Sequence, residues 1–361
     1  MSKRLNIGLV GTSNYTQTVN LPVLTQHENT NVVAICGRNR TYAQEVAAEY
    51  GIPQVFTDYE EMFALPGLDA VIIATPDDLH YPMTMAALRA GLHVLGEKPM
   101  AINAQQAKAM LDAAEQAGVK HMIMFTWRFF PHYQYMQKLI ADGYVGRSYH
   151  CHIRFLSNAG RQKQYKWEFD PERSLGALGA IGSHMIHLAH FLQGDIRRVS
   201  AQLGSFVERE GLDGQLAPGA NDTALLMVEY ANGSQGMIHV SMIAHTANRG
   251  REQYVSLHGE LGTLELDWKV FGPEAQVTLR GARHDEAQFQ IMPIPEEYLQ
   301  GVAPGAILPV FEQHLVGPRL FVDAILNDYL PTPNFYDGFK VQQVMDAAIQ
   351  SHATGCWVDV G

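Results

Sequence analysis

Short apolar runs alternate with helical stretches along the first third of the chain. The runs NIGLV, NVVAIC, DAVIIAT and HVLGE are almost continuously apolar, as expected of parallel strands that are covered on both faces. The stretches between them have helix-start and helix-end signals, as in the segment from Asn103 to Gly118. This alternation predicts a doubly wound α/β domain over residues 1–125, with HMIMF as its last strand.

After residue 125 the pattern becomes one of consecutive strands. The runs are SYHCHIRF, RRVSAQLGSFV, DTALLMVEY, SQGMIHVSMI, QYVSLHG, GTLELDW and QVTLRG, with turn residues such as Asn232-Gly233 between them. They predict a second, α+β domain over residues 126–361 with a large, mostly antiparallel open sheet. Helical patterns near 132–143 and 180–194 interrupt the strands. A last amphipathic helix, at about 336–352, is expected to pack back on the first domain.

When one face of an open sheet packs on helices, its second face is left exposed unless another surface covers it. We therefore expect a homodimer or homotetramer formed through the C-terminal sheet.

Composition narrows the possible partners. The 361 residues carry a net charge of −11, which argues against nucleic acid and anionic membranes as partners, since both are polyanions. No apolar run is long enough to span a bilayer, and MSKRLNIGLV lacks the features of a secretory signal. Three widely spaced cysteines form neither a disulfide framework nor a metal-ligand spacing. These features predict a cytoplasmic protein.

The first strand leads into an incomplete dinucleotide-binding loop. Gly11 occupies the first position of a G-x-G-x-x-G pattern, but Ser13 and Thr16 stand at the other two glycine positions. Two further stretches follow later strands at the same predicted sheet edge. They are ATPDDLHYP, residues 74–82, and GEKPMA, residues 96–101. Ligands of open α/β sheets bind at this edge.

These motifs, at this spacing, resemble those of the glucose–fructose oxidoreductase, inositol dehydrogenase and rhizopine catabolism (Gfo/Idh/MocA) oxidoreductases. The resemblance extends over the whole chain, through FTWRFFP, LIADGYVGR, GALGAIGSHMIH and FYDGFKVQQVMDAA. It implies an N-terminal Rossmann domain, a second domain with an open sheet, and a nicotinamide cofactor between them. The family tolerates small or polar residues after the first glycine, so the loop is predicted to bind the pyrophosphate through backbone N–H groups.

The resemblance and the strand-end positions together give a set of expected cofactor-binding residues. The set is Gly11, Thr12, Ser13, Asn14, Gly37, Arg38, Arg40, Thr75, Pro76, His80, Glu97, Lys98 and Arg128. Gly37 stands where NAD-binding proteins usually carry an acid for the ribose, and two arginines follow it. A guanidinium can bind a 2′-phosphate in bidentate fashion, which favours NADP over NAD. The alternative is that Arg38 stacks on the adenine of NAD.

The family's catalytic lysine corresponds to Lys98 and its active-site histidine to His184. The resemblance implies that both handle the proton of the substrate oxygen while hydride moves to or from the nicotinamide. His187 lies one turn further along the same helix face. His190 does not share that face, so a metal site from these histidines is not expected.

Two positions depart from the family. Ala180 stands where inositol-dehydrogenase-like members carry an aspartate, and His187 where they often carry another acid. A changed substrate, a slower enzyme and a proton relay through His187 would each fit. Residues expected to contact the substrate are Lys98, Arg128, Tyr165, Trp167, His184 and His187.

The predicted function is NAD(P)-dependent oxidation or reduction at a secondary alcohol or ketone of a sugar, sugar derivative or cyclitol. Two alternatives keep the fold. One is a glycoside hydrolase that uses a retained nucleotide in an oxidation–elimination–reduction cycle. The other, suggested by Ala180, is a non-catalytic nucleotide-binding regulatory protein.

Overall fold

The computed structural model describes residues 4–217, 219–271 and 273–361. The chain divides into two compact units. The first extends to Phe125 and includes Ile307–Lys340, and the second comprises Thr126–Ala306 and Val341–Gly361. None of the helices in the described ranges has both the length and the apolar composition needed to cross a bilayer.

The first unit is built on a six-stranded parallel sheet. Its strands are β1 (Leu5–Val10), β2 (Thr30–Cys36), β3 (Gln54–Phe56), β4 (Ala70–Ile73), β5 (His93–Gly96) and β6 (His121–Ile123), in the order β3-β2-β1-β4-β5-β6. This confirms the doubly wound domain and its last strand. The chain reverses its direction of travel across the sheet between β1 and β4, and the carboxyl ends of these strands form the usual ligand-binding edge.

Helices connect these strands. They are α1 (Leu21–Thr25), α2 (Arg40–Tyr50), α3 (Tyr59–Phe63), α4 (Asp77–Arg89) and α5 (Ala104–Ala117). A π-helical turn, Thr16–Asn20, leads into α1. The predicted limits of α5 are confirmed, since the Asn103 side chain accepts a hydrogen bond from the amide of Gln106 and Gly118 ends the helix with a φ of 64°.

The second unit contains a nine-stranded sheet. Its strands are β7 (Ser148–Leu156), β8 (Ile196–Gly204), β11 (Thr223–Tyr230), β12 (Gln235–Ser241), β13 (Glu252–Gly259), β14 (Gly262–Lys269), β15 (Gln276–Arg283), β16 (Gln290–Ile291) and β17 (Val358–Asp359); β9 (Arg209–Glu210) and β10 (Leu216–Ala217) form a separate hairpin. The order is β16-β15-β14-β13-β7-β12-β11-β8-β17, and β7 and β12 form its parallel pair. The predicted mostly antiparallel sheet is confirmed.

The two faces of this sheet differ in character. Along β7, Cys151, Ile153 and Phe155 are buried, whereas the alternate residues His150 and His152 are exposed. The helices α6 (Pro131–Ala141), α7 (Ser183–Gln193) and α8 (Glu296–Leu299) also belong to this unit. The buried face therefore belongs to the core of the unit, and the other face is open.

The chain after the second sheet supplies part of the first unit. It forms α9 (Leu308–Gln313), α10 (Pro318–Leu326) and α11 (Phe335–Thr354). The sequence pattern predicts one domain over 126–361, but 307–340 cluster with the first unit. The reason is a set of long-range contacts: the amide of Ile123 donates to the carbonyl of Pro333 at 3.1 Å, and the amide of Phe335 donates to Nδ1 of His121 at 3.1 Å. The predicted C-terminal helix is α11, whose residues from Val341 onward belong to the second unit.

Candidate active site

The loop after β1 requires its one glycine. Gly11 has a φ of +107°, and a Cβ there would lie 2.1 Å from the carbonyl oxygen of Ala74. No side chain fits at this position. Ser13 and Asn14 are exposed beside it, and the Ser13 hydroxyl accepts a hydrogen bond from the amide of Thr16 at 3.2 Å. Ser13 thus caps the first turn of the following helix and leaves a helix N-terminus at the sheet edge, which is a favourable place for a phosphate.

The end of β2 carries no acid but two exposed cations. Gly37 is buried, and a Cβ there would lie 2.8 Å from Cγ2 of Thr12. Arg38 and Arg40 are exposed immediately after it, at the start of α2. The region predicted to bind the adenosine end of the cofactor is therefore positively charged and free of carboxylates between residues 37 and 40.

His80 links the loops that follow β4 and β5. Its ring is 2% exposed, with Nδ1 2.7 Å from the carbonyl oxygen of Pro99 and Nε2 2.9 Å from that of Thr75. Each ring nitrogen thus lies at hydrogen-bonding distance from one loop. This geometry suits a residue that fixes the position of Lys98 relative to the Thr75-Pro76 turn.

Buried polar atoms cluster at the same edge. Oε1 of Glu97, Oγ1 of Thr75 and the hydroxyl of Tyr15 are buried and make no hydrogen bond among the described residues. Burial raises the pKa of Glu97 to about 7, against the opposing effect of the neighbouring Lys98 ammonium. Burial, with a contribution from the Glu97 charge, also raises the pKa of Tyr15. Polar groups left unpaired in this way fit a polar ligand such as the amide and ribose of a nicotinamide nucleoside.

Tyr15 joins the candidate site, although the sequence pattern gives no sign of it. It belongs to the loop after Gly11, whose pattern defines glycine positions and gives no role to the residues between them. Its electrostatic coupling to Glu97 joins two loops that are 82 residues apart in sequence.

In the second unit, Arg128 contacts the helix that carries both candidate histidines. Its Nη1 lies 3.4 Å from Nε2 of His187, and its guanidinium lies 4.5 Å from the ring centre of Phe191. A guanidinium only donates, so His187 accepts at Nε2 and carries its proton on Nδ1. Burial, followed by the charge of Arg128, holds the pKa of His187 well below its usual value. His187 is therefore neutral near pH 7.

His184 lies on the same helix and is 6% exposed. Its ring makes an edge contact with Trp127 at 5.9 Å between ring centres. Ala180, in the π-helical turn before α7, is half-buried. Lys98 belongs to the first unit and His184 to the second. Their approach to one substrate oxygen stays a prediction.

The loop that carries Tyr165 and Trp167 borders a cavity of about 330 Å³ within the second unit. Tyr165, Phe169, Asp170, Arg209 and Glu210 are among the residues that line it. The Tyr165 hydroxyl donates to the Asp170 carboxylate at 2.9 Å. Trp167 is half-buried in the same loop. Within the described ranges no group of three or more histidine, cysteine or acidic side chains could hold a metal ion.

Comparison with known protein families places the chain in one of them. Residues 5–125 match the oxidoreductase family with an NAD-binding Rossmann fold, GFO_IDH_MocA, and residues 133–265 match the GFO/IDH/MocA C-terminal domain. An uncharacterized oxidoreductase of Synechocystis is 32% identical over 99% of this chain and 97% of its own length. The chain therefore belongs to the Gfo/Idh/MocA oxidoreductase family, as the motifs predict.

Several relatives with assigned activities are sugar dehydrogenases. Levoglucosan dehydrogenase of Pseudarthrobacter phenanthrenivorans is 28% identical over 90% of this chain and 88% of its own length. D-Glucoside 3-dehydrogenase of Escherichia coli is 24% identical over 99% and 98%. A solved structure of levoglucosan dehydrogenase in complex with NADH and levoglucosan superposes with a TM-score of 0.88, at 27% identity, over 99% of this chain and 100% of that one.

Proposed function

We propose that the protein is an NAD(P)-dependent dehydrogenase that oxidises a secondary alcohol of a sugar, sugar derivative or cyclitol. The observation that carries the proposal is the pair Glu97 and Lys98 at the carboxyl end of β5, next to buried and unpaired polar groups. Full-length similarity to levoglucosan dehydrogenase supports a carbohydrate as the substrate. The nicotinamide, when bound, supplies the acceptor for the hydride.

Lys98 and His184 are the residues proposed to handle the proton. Oxidation of an alcohol removes a proton from its oxygen and a hydride from its carbon. A positioned amine or imidazole lowers the barrier by accepting the proton, or by stabilising the negative charge that develops on the oxygen as the proton leaves. Glu97 lies next to Lys98 in sequence, and its high pKa makes its charge sensitive to pH near 7. Because Lys98 lowers that pKa, the two groups are electrostatically coupled.

His187 has a different role in this proposal. It is neutral, and its Nε2 lone pair faces Arg128. We assign it to the positioning of Arg128, whose guanidinium is a suitable donor for substrate hydroxyl groups or the cofactor. This leaves His184 as the histidine of the helix that acts on the substrate.

The proposal is tested by screening sugars, anhydrosugars, glycosides and inositols for reduction of NAD and of NADP, followed by absorbance of the reduced nucleotide. We expect steady reduction with at least one carbohydrate. Nucleotide that co-purifies in stoichiometric amount, with cleavage of a glycoside and no net reduction, would instead show the hydrolytic cycle. Nucleotide binding without turnover of any compound would contradict an enzymatic role.

For the cofactor, we propose a preference for NADP based on Gly37, Arg38 and Arg40. Arg38→Ala should raise the KM for NADP by about tenfold or more, since hydrogen bonds to charged groups are worth about 1.5–3 kcal/mol, and should change the KM for NAD much less. Arg89→Ala is the matched control, because Arg89 is an exposed arginine in the last turn of α4. Equal effects on both nucleotides would refute the preference. The NADH complexes of levoglucosan dehydrogenase make NAD the alternative.

We also propose that the open face of the nine-stranded sheet joins two copies of the chain. Leu225, Met227 and Met237 are 42%, 54% and 38% exposed on neighbouring strands of this face. Such an apolar patch on a sheet suits a self-complementary, two-fold interface.

Met227→Lys should therefore shift the particle mass in size-exclusion chromatography with light scattering towards the monomer, because a two-fold axis brings two lysines into the interface. Leu212→Lys, an 82% exposed apolar residue outside the sheet, is the control and should leave the mass unchanged. A wild-type monomer, or an unchanged mass in Met227→Lys, would show that this face is not the interface.

A further inference from the structure

A short segment before β11 contacts both parts of the second unit that carry candidate substrate-binding residues. The segment is Gly219–Asp222, and it is followed by Thr223 at the start of β11. On one side lies the loop that contains Tyr165 and Trp167, and on the other the turn that leads into α7. The sequence pattern gives no indication of a role for this segment.

Asn221 fixes the entry to the helix that carries His184. Its Oδ1 accepts a hydrogen bond from the amide of Leu178 at 2.9 Å, its Nδ2 donates to the carbonyl of Leu175 at 2.7 Å, and its backbone carbonyl accepts from the amide of Ala177 at 2.7 Å. Gly176, between these partners, has a φ of +61°, and a Cβ there would lie 2.2 Å from the Asn221 carbonyl oxygen. The contact is thus too close for any other residue at position 176.

Asp222 and Arg209 hold the loop that carries Tyr165 and Trp167. Asp222 is fully buried, accepts from the amides of Phe206 and Val207, and forms an ion pair with Arg209 at 3.2 Å. Nη2 of Arg209 donates to the carbonyl of Gly160 at 2.5 Å, and the central carbon of the guanidinium lies 3.7 Å from the ring centre of Phe169. One Nη atom of the guanidinium therefore contacts Asp222, and the other contacts the backbone at Gly160.

The backbone completes this arrangement. The amide of Ala220 donates to the carbonyl of Phe169 at 2.8 Å, and the amide of Glu210 donates to that of Lys163 at 3.0 Å. Arg209 and Phe169 also line the cavity next to Tyr165. The position of the loop and the shape of the cavity thus depend on the same ion pair.

We propose that Asn221 and the Arg209–Asp222 pair are positioning residues of the active site, Asn221 for His184 and the ion pair for the sugar-binding loop. The proposal rests on the proposed dehydrogenase function. It assigns separate kinetic consequences to the two groups, since displacement of a proton-handling group lowers kcat, whereas displacement of a binding loop raises the KM for the sugar.

The first test is Asn221→Ala, with Asn232→Ala as its control. Asn232 donates to the carbonyl of Gln193 and accepts from the amide of Ser234, so it makes comparable hydrogen bonds near the other end of α7. We expect kcat to fall about 10- to 100-fold in Asn221→Ala, with the KM for the nucleotide unchanged, and to stay within about twofold of wild type in Asn232→Ala.

A second variant separates positioning from general destabilisation. Asn221→Asp keeps the size and the acceptor of the side chain but places a carboxylate oxygen against the Leu175 carbonyl. Protonation of that carboxyl restores a donor, so the kcat of this variant relative to wild type should rise as the pH falls from 8 to 5. A ratio that does not change with pH would contradict the role of Asn221.

For the ion pair, Arg209→Lys keeps the charge opposite Asp222 but loses the simultaneous contacts to Gly160 and Phe169. We expect the KM for the sugar to rise about tenfold, with kcat and the KM for the nucleotide little changed. Loss of kcat alone, in proportion to the loss of folded protein by circular dichroism, would show a merely structural role and overturn the proposal. Wild-type protein that turns over no sugar would refute the proposed function itself. Active wild-type protein with unaffected variants would instead refute only the positioning roles of Asn221 and the ion pair.

Discussion

Lys98→Met should lower kcat for sugar oxidation by about 100- to 10,000-fold, the usual range for loss of a positioned acid–base group. Methionine keeps most of the length and the apolar stem of lysine, so packing around this half-buried side chain is largely retained. The KM for the nucleotide should change far less than kcat. Initial rates with the best carbohydrate of the screen, together with fluorescence titration of the reduced nucleotide, measure both quantities.

Lys108→Met provides the matched control, because Lys108 is an exposed lysine of α5 whose partner is Asp112 four residues along. Its activity should equal that of the wild type, since surface pairs of this kind contribute little. If Lys98→Met retained more than about a tenth of the wild-type kcat, the lysine would not take part in the proton transfer.

His184→Asn should give the second largest loss, about 100-fold in kcat. If Lys98 and His184 act on one oxygen in one step, the double variant Lys98→Met/His184→Asn should lose much less than the product of the two single losses. His190→Asn, on a different face of the same helix, controls for the loss of a ring from α7. Losses that multiply in the double variant would place the two groups in independent steps.

The sequence predicted the strands and the sheet edge well, because both depend on local patterns. Continuous apolar runs marked the parallel strands, and alternation marked strands such as β7. The domain boundary differs for residues 307–340, which the sequence pattern places in the second domain. The helices of this segment cluster with the first unit through contacts such as that of Ile123 with Pro333, more than 200 residues apart. No local pattern reports a contact at that separation.

The candidate site shows the same division. Gly11, Glu97 and Lys98 stand at strand ends within recognisable motifs, so their place in the fold could be predicted. Asn221 and Asp222 look in the sequence like ordinary turn residues before a strand. Their hydrogen bonds to Leu175, Leu178 and Arg209 arise only from the tertiary fold.

The close approach of Gly37 to Thr12 restricts how nucleotide preference can change in descendants of this protein. The Cβ of an aspartate at position 37 would lie 2.8 Å from Cγ2 of Thr12 and 3.2 Å from Cβ of Ala43. Any side chain at position 37 therefore requires the Thr12 side chain to move or to be replaced by a smaller one, and the Ala43 methyl group to give way slightly. On the proposed preference for NADP, an acid at position 37 combined with a glycine or alanine at position 12 should shift the preference towards NAD more than the acid alone.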